Sequence, residues 1–307
     1  MTTVTIPTFS PGVTRRANLL KLTHLAWIAP ITLATAVMLA YPTFYVLALS
    51  LTKSNLGRPF QAWRGLRNYL GALTDSGFLW SITRGILYAL PSSVLQVAAG
   101  LALALLLHKL STAGRKLLIV LLLPLMTPPV MAGIVWKLIF APSGGLLNGV
   151  LLRDGWIDAP ISILGDSTLA WAAILIADSW QWIPFVALMA YAALGSLSAE
   201  ILEAARLDGA NALQRFRYIL LPALWPAIVS ILLLKVVIAF KLFDAVYILT
   251  FGGPADSTSV PSFLIWRTGL EQFDVGRAAA QTMIFAIVVS VITLPLVKWQ
   301  RRQLVAA

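Results

Sequence analysis

The sequence contains no cysteine and only two histidines, His24 and His108. Without cysteine the chain can form neither a disulfide framework nor a thiol-based site. The two histidines are far apart in the sequence and lie near the ends of apolar runs. A histidine-based triad is therefore not expected, and we predict no metal site in this chain.

Charged residues are also scarce: they make up 11% of the 307 residues, whereas 59% are hydrophobic. Soluble domains carry about 25% charged residues, so this composition indicates an integral membrane protein. The net charge of +11 would suggest nucleic acid as a partner of a soluble protein. In a membrane protein it is better explained by basic residues in cytoplasmic loops, and we expect no nucleic acid partner.

A phosphate-binding loop of the form G-x-x-x-x-G-K-[ST] is missing from the sequence. If the function of the protein uses ATP, another polypeptide must therefore bind the nucleotide. The polar segments are too short to hold a separate catalytic domain. We predict that the chain is not an enzyme and holds no cofactor of its own.

Six apolar runs are long enough to cross a bilayer, which takes about 20 residues. They cover about residues 25–50, 82–107, 117–140, 169–194, 222–250 and 278–299. We therefore predict an all-α membrane domain of six spans over 25–299, with short tails at 1–24 and 300–307. The amino-terminal tail lacks the features of a cleavable signal peptide. Pro124, Pro128 and Pro129 are predicted to kink the third span.

The distribution of basic residues predicts the orientation of the spans. The tails and predicted inner loops hold twelve, namely Arg15, Arg16, Lys21, Lys109, Arg115, Lys116, Arg206, Arg215, Arg217, Lys298, Arg301 and Arg302. The outer loops hold seven, namely Lys53, Arg58, Arg64, Arg67, Arg153, Arg267 and Arg277. The positive-inside rule therefore places both termini in the cytoplasm. The bias is modest, because the first outer loop is itself basic.

The segment between spans four and five reads EAARLDGANALQRFRYILLP from Glu203 to Pro222. Its first residues are good helix formers, and Asp208-Gly209 breaks that helix because glycine tolerates a positive φ. Asn211 is predicted to cap a second short helix that ends near Tyr218. The segment is thus predicted to form a helix, a sharp turn and a helix at the membrane surface.

Seven residues of this segment resemble the cytoplasmic loop of bacterial ABC importer permeases: Glu203, Ala204, Ala205, Gly209, Ile219, Leu221 and Pro222. The resemblance implies the type I ABC importer permease fold in a bacterial cytoplasmic membrane. It implies that residues 195–221, the docking loop, bind an ATPase through Glu203, Ala204, Ala205, Arg206, Asp208 and Gly209. It also implies the partners: a second homologous permease, an extracytoplasmic solute-binding protein and two ATPase subunits that hold ATP and Mg.

A second stretch of sequence indicates the class of substrate. Residues 243–258 read FDAVYILTFGGPADST and are similar to the end of span five in sugar-importing ABC permeases, the branch of the maltose and glycerol-phosphate importers. Trp180 to Phe185 and the pair Asn68-Tyr69 also resemble segments of these permeases. The resemblance implies import of a carbohydrate or a sugar derivative.

The same resemblance implies a set of substrate contacts in spans four and five: Trp182, Phe185, Lys235, Ala239 and Leu242. At the last three positions this chain departs from the small polar and Asn residues of the maltose permease, so the maltose contacts themselves are not carried over. The rings of Trp182 and Phe185 suit stacking on the apolar face of a sugar. Packing between helices is the alternative role for both rings.

Charged residues inside the spans are functional candidates because they are costly there. Lys241 and Asp244 stand at i, i+3 and are predicted to pair on one helix face. Lys235 has no acid at that spacing and lies ~20 Å along the helix from Pro222, level with the membrane midplane. Asp178 is predicted to lie level with Lys241 rather than with Lys235.

Lys235 is therefore expected to face a water-filled cavity or a ligand. The alternative is that it pairs with a partner subunit or a backbone carbonyl. The first interpretation leads to the hypothesis that the substrate is anionic.

Two other classes of function remain open at this point. An ion-coupled secondary transporter would work without ATPases, and its uptake would be independent of ATP. A membrane-embedded enzyme that acts on lipids would need clustered acids or histidines at one membrane face, and the sequence shows no such cluster.

Overall fold

The computed structural model describes residues 12–110, 116–117 and 119–306. In this part of the chain the protein is a bundle of helices with one two-stranded sheet. Five of its helices are long and apolar enough to cross a membrane, and the number is six if a sharply bent pair is counted as one span. This agrees with the prediction of an all-α protein with six spans.

The first helix, α1 (Gly12–Ser50), begins well before the predicted start of span one. The tail from residue 12 onward is therefore helical, while residues 1–11 lie outside the described residues. Strands β1 (Thr52–Lys53) and β2 (Ala62–Trp63) then form an antiparallel hairpin. A short helix α2 (Arg67–Thr74) leads into span two, α3 (Ser76–Lys109).

The buried Asn68 explains why the Asn-Tyr pair stands in the first outer loop. Its side-chain amide donates hydrogen bonds to the carbonyls of Ser50 and Thr52, both at 2.9 Å. The hydroxyls of Tyr69 and Ser50 lie 2.7 Å apart. These bonds fasten α2 to the carboxyl-terminal end of α1 and to the start of β1.

Span three is broken. The break lies between α4 (Leu123–Met126) and α5 (Pro129–Ile139). The helical segments on its two sides, Ile119–Met126 and Pro129–Ile139, meet at an angle of 95°. Pro128 has extended backbone angles at this point, because a proline cannot continue the hydrogen-bond ladder of a helix. The predicted kink is confirmed. Arg115, assigned to the preceding loop, lies outside the described residues.

The outer loop after span three contains α6 (Leu146–Arg153) and a single 3₁₀ turn at Ile163–Gly165. The buried Asn148 holds this loop together, because its amide bonds to the carbonyls of Ala141 and Ile161 and to the N–H of Ile161. Span four follows as α7 (Ser167–Gly195).

The docking loop has the predicted shape. Helix α8 (Ala199–Leu207) ends at a turn in which Gly209 has a φ of +79°. Helix α9 (Ala212–Arg215) then begins at Asn211, whose side chain accepts a hydrogen bond from the N–H of Gln214 at 2.9 Å while its own N–H donates to the Gln214 side chain. The break at glycine and the Asn211 cap are both confirmed.

One prediction for this region is wrong: the second helix does not end near Tyr218. It runs through a wider π-type turn at Phe216–Leu220 into span five, α10 (Leu221–Phe240). The result is one continuous helix of 29 residues, Ala212–Phe240. Pro222 therefore lies inside a continuous helix, directly after the π-type turn.

Span five is shorter than predicted. Helix α10 ends at Phe240, and a further helical turn forms only at Val246–Thr250. Lys241 and Asp244 therefore do not share a helix face, and no ion pair joins them in the described part of the chain. Their predicted pairing is wrong.

The chain is completed by α11 (Pro261–Trp266), a π-type turn at Arg267–Glu271 and span six, α12 (Val275–Ala306). The centre of the bundle lies where α3 packs along α7. A side chain at Gly100 would stand 2.4 Å from a methyl carbon of Val186, so only glycine permits this close approach. The approach brings the polar residues of spans two and four together.

Candidate functional site

A buried carboxylate, that of Asp178 in α7, lies at the meeting point of three spans. One of its oxygens, Oδ2, accepts hydrogen bonds from the Tyr88 hydroxyl at 3.0 Å and from the Gln96 amide at 2.7 Å, both on α3. The ammonium group of Lys235 on α10 lies 3.5 Å from the same oxygen. The group of four residues, which we call the Asp178 cluster, joins spans two, four and five.

Lys235 is completely buried. Its Nζ atom makes no hydrogen bond within the described residues. The contact with Asp178 is therefore an ion pair without a hydrogen bond, with 3.5 Å between Nζ and Oδ2. The same atom lies 5.1 Å from the ring centroid of Trp182, which adds a cation–π attraction. The cost of burying the charge of Lys235 is thus offset by one carboxylate and one aromatic face of its own chain.

Lys235 faces Asp178 and Trp182 rather than a cavity, so that prediction is wrong, whereas its contact with a ligand stays a prediction. Asp178 lines one cavity together with Lys241, as predicted, but it also contacts Lys235, which was not expected. The expected separation of Asp178 from Lys235 rested on depths counted along straight helices from predicted ends. Helices α7 and α10 each contain a proline, Pro184 and Pro226, and internal prolines bend helices. Residues with different counted depths can therefore meet.

A cavity of about 230 Å³ lies between α5, α7 and the end of α10. Its wall carries two carboxylates, one ammonium group, one amide and two aromatic rings among apolar groups, from Asp178, Asp244, Lys241, Gln181, Trp182 and Phe243. The second oxygen of Asp178, Oδ1, accepts no hydrogen bond from the described residues. It is placed to accept one from a ligand, because Asp178 lines the cavity.

The five residues predicted to contact substrate are divided between the cavity wall and the core. Trp182 and Leu242 line the cavity. Phe185 stands edge-on to the Trp182 ring, with centroids 5.9 Å apart, and packs into the core between α3 and α7. Ala239 is buried against α3 and α12, and Lys235 lies behind Asp178 and Trp182.

Sequence reasoning noted Asp178 as a charge inside a span but did not include it in the site. A signal was present: span four carries an acid and span five a lysine, each without a partner of opposite charge on its own helix. Such residues usually pair with one another across helices. Arg84 in α3, which lies beside a separate groove lined by Tyr88 and Trp171, was missed altogether.

The stretch from Phe243 to Thr258 begins in the cavity wall with Phe243, Asp244 and Ala245 and continues into a hydrogen-bonded turn. The hydroxyl of Thr258 donates to the carbonyl of Gly253 at 2.7 Å and lies 2.7 Å from the hydroxyl of Thr250. Gly252 has a φ of +83°, and a side chain there would meet the Phe263 ring at 2.7 Å. This turn fixes the chain that leaves the cavity wall at Ala245.

The docking loop presents its polar residues to the outside. Among the predicted docking residues Ala205 is buried and the others are exposed, namely Glu203, Ala204, Arg206, Asp208 and Gly209. Large apolar side chains also lie bare on this loop, with Leu207 89% and Leu213 72% exposed. Ala205 anchors the loop, and the rest forms a surface that a protein partner can cover.

No group of three or more histidine, aspartate or glutamate side chains that could hold a metal ion occurs in residues 12–110, 116–117 and 119–306.

The sequence of residues 96–304 matches the family described as "Binding-protein-dependent transport system inner membrane component". The probable ABC transporter permease protein y4oQ of Sinorhizobium fredii is 34% identical over 297 residues, covering 95% of this chain and 94% of the relative. The trehalose/maltose transport system permease protein MalF of Thermococcus litoralis is 31% identical over 264 residues, covering 86% of this chain and 88% of the relative.

Among solved structures, a chain of a bacterial ABC transporter involved in the import of the acidic polysaccharide alginate superposes with a TM-score of 0.81. The superposition covers 94% of this chain and 99% of that chain at 20% sequence identity. At this identity the similarity shows the fold alone. It confirms the predicted fold class.

Proposed function

Since this chain belongs to the binding-protein-dependent transport system inner membrane component family, we propose that it is a transmembrane subunit of an ATP-driven importer of a carbohydrate or sugar derivative. Relatives over most of the chain are named as permeases for trehalose/maltose and for sn-glycerol-3-phosphate. Its partners are a second homologous permease, two ATPase subunits that carry ATP and Mg, and an extracytoplasmic solute-binding protein. Both termini and the docking loop lie in the cytoplasm.

The observation that carries this proposal is the continuous helix Ala212–Phe240. It begins in the exposed docking loop and ends one residue before Lys241, which lines the cavity. At 1.5 Å per residue it is about 43 Å long. A movement of an ATPase bound at Glu203 and Gly209, just before this helix begins, is therefore transmitted to the cavity wall along one continuous helix.

This geometry gives a mechanism of alternating access, in which helices rock about a central site. Closure of the ATPases displaces the docking loop, and α10 moves with it relative to α7. The cavity between α7 and the end of α10 then opens to the outside, where the solute-binding protein delivers substrate. An ion-coupled secondary transporter has no use for such a loop.

The cavity wall suits a polyhydroxylated substrate. The free Oδ1 of Asp178 can accept a hydrogen bond from a sugar hydroxyl, and the Trp182 ring can stack on the C–H face of the sugar. The argument for an anionic substrate no longer holds, because it required Lys235 to lack an acid of its own chain. Lys235 instead compensates Asp178.

The experiment that tests this function is uptake into proteoliposomes that contain the full-length chain with the subunits that copurify with it. We expect uptake to require ATP and the solute-binding protein and to stop with vanadate. Uptake that is driven by a proton or sodium gradient without ATP would contradict the proposal and favour the secondary transporter.

Replacement of Trp182 by Ala tests the substrate class. We expect KM for uptake of the sugar to rise about fivefold, because a lost stacking contact is worth ~1 kcal/mol. Trp180→Ala is the matched control, since Trp180 is on the same helix but stands edge-on to Trp136 and does not line the cavity. Equal effects of the two substitutions on KM would show that Trp182 is only a packing residue.

Single cysteines test the orientation, since the chain has none of its own. Asp256 is about half exposed in the loop after span five. We expect an impermeant thiol reagent to label Asp256→Cys in whole cells, but Ala307→Cys only after the cells are opened. The reverse pattern would invert the topology.

A further inference from the structure

The first outer loop, residues 51–74, contains four basic residues and no acidic one, namely Lys53, Arg58, Arg64 and Arg67. No described acid forms an ion pair with any of them. Basic residues are disfavoured on the outer side of a membrane protein. Four basic residues without an acidic partner are therefore available to bind an anionic partner outside the chain.

Helix α2 of this loop has a bare apolar stripe. Its core side is formed by Asn68 and Ala72, which are buried. Leu66, Leu70 and Leu73 recur at helical spacing on another side and are all exposed, Leu70 by 61%. Arg67 and Gly71 lie between these two sides. The helix thus has an apolar side and a core-facing side, with Arg67, its single basic residue, between them.

The loop also contacts exposed aromatic residues of span one. The ring of Phe60, next to the hairpin strand β2, stands edge-on to Tyr45 of α1, with centroids 5.6 Å apart. Tyr45 in turn stacks on Tyr41, and both are exposed on α1. Trp63 on β2 is 74% exposed. Tyrosine and tryptophan concentrate at the level of lipid headgroups.

We propose that residues 53–73 form an interfacial anchor that lies in the outer surface of the membrane and binds anionic phospholipid headgroups. Leu66, Leu70 and Leu73 enter the boundary between headgroups and acyl chains, as in amphipathic interfacial helices. The arginines beside them bind headgroup phosphates, and Trp63 lies at the same level. Since Asn68 and Tyr69 bind the outer end of α1, the anchor fixes the depth of span one.

An acidic protein surface, such as that of a solute-binding protein, is the rival partner. The basic residues would suit it, but it gives no role to the leucine stripe or to the contact of Phe60 with the exposed face of α1. A lipid surface accounts for all three features. The proposal does not depend on which substrate the importer carries.

The test uses nitroxide labels on single cysteines in nanodiscs of phosphatidylcholine with phosphatidylglycerol. Leu70→Cys reports on the stripe, and Gly71→Cys is the matched control one residue away, where no atom lies within 4 Å of an added side chain. For an anchor in lipid, we expect the ratio of collisions with oxygen to collisions with a water-soluble nickel complex to be about threefold higher at Leu70. Equal, water-like ratios at both positions would overturn the proposal. So would shielding of the Leu70 label from both reagents, because it would show a protein cover.

A second comparison tests the headgroup contact. With phosphatidylglycerol replaced by phosphatidylcholine, we expect the nickel complex to reach the Leu70 label about twofold more often, since attraction of basic residues to anionic lipid is lost. The pair Arg64→Gln and Arg67→Gln should abolish this dependence on lipid charge. A label that is insensitive to lipid charge in the unsubstituted chain would contradict recognition of anionic headgroups.

Discussion

Replacing Lys235 with Met is expected to lower the free energy of unfolding by about 3–5 kcal/mol, the cost of breaking a buried ion pair by removing one partner. The substitution leaves the Asp178 carboxylate buried with only the neutral donors Tyr88 and Gln96. Much less folded protein should therefore reach the membrane. The measurement is the midpoint of thermal unfolding of the detergent-solubilised chain, together with its amount in the membrane.

The double substitution Lys235→Met with Asp178→Asn is expected to recover most of this loss. It removes both charges, and replacing a buried pair by neutral groups of similar volume is often neutral or stabilising. Lys241→Met is the matched control. That lysine is exposed at the cavity wall and has no carboxylate within ion-pair distance among the described residues, so its loss should leave the unfolding midpoint near that of the parent.

Two outcomes would contradict the role assigned to the pair. If Lys235→Met folds and assembles as the parent does but loses uptake, the lysine acts on the substrate, and the interpretation of Lys235 as the partner of Asp178 fails. If the double variant is no more stable than Lys235→Met alone, the two residues are not energetically coupled. A normal isolated chain that no longer binds the second permease would point to a contact between subunits.

The sequence identifies local features of this protein well. Prolines break span three because they cannot donate the backbone hydrogen bond, and Asn211 caps α9 because its side chain satisfies a free N–H in the first turn. Gly209 breaks the docking loop for an equally local reason. Each of these features depends on a few adjacent residues, so each can be predicted without knowledge of the rest of the fold.

Features that depend on contacts between helices are predicted less well. The pair of Lys235 and Asp178 spans 57 residues of sequence and depends on how three bent helices cross. The predicted pairing of Lys241 with Asp244 is wrong because α10 ends at Phe240. The apolar sequence around Phe240 contains no residue that signals the end of a helix. Asp178 was recognised as an unusual residue, but its place in the cavity wall follows only from the packing of α7 on α3 and α10.

Replacing Gly209 with Pro is expected to reduce ATP-driven uptake more than tenfold while the chain still reaches the membrane. Gly209 has a φ of +79°, whereas proline is fixed at a φ of about −65°. Proline also lacks the N–H that Gly209 donates to the carbonyl of Arg206 at 3.1 Å. The turn between α8 and α9 therefore cannot form. As a result, α8 is no longer held in a fixed orientation relative to the helix Ala212–Phe240, which leads to the cavity.

Gly209→Asn is the matched control, because asparagine adopts the left-handed conformation more readily than other residues with a side chain. No atom of this chain lies within 4 Å of a side chain added at Gly209, so within this chain any defect must come from the backbone. We expect Gly209→Asn to keep most of the uptake and Gly209→Ala to lie between the two. Graded loss in this order would show that the left-handed turn itself carries the coupling.

The measurement is uptake together with ATP hydrolysis by the assembled importer. If Gly209→Pro disturbs only the docking loop, ATP hydrolysis should persist in complexes that still form but should no longer respond to the loaded solute-binding protein. The capping box at Asn211 and the helix Ala212–Phe240 begin after the substituted residue, so the membrane bundle should remain folded. Normal uptake by Gly209→Pro at parental amounts in the membrane would show that residues 195–221 do not couple ATP to transport.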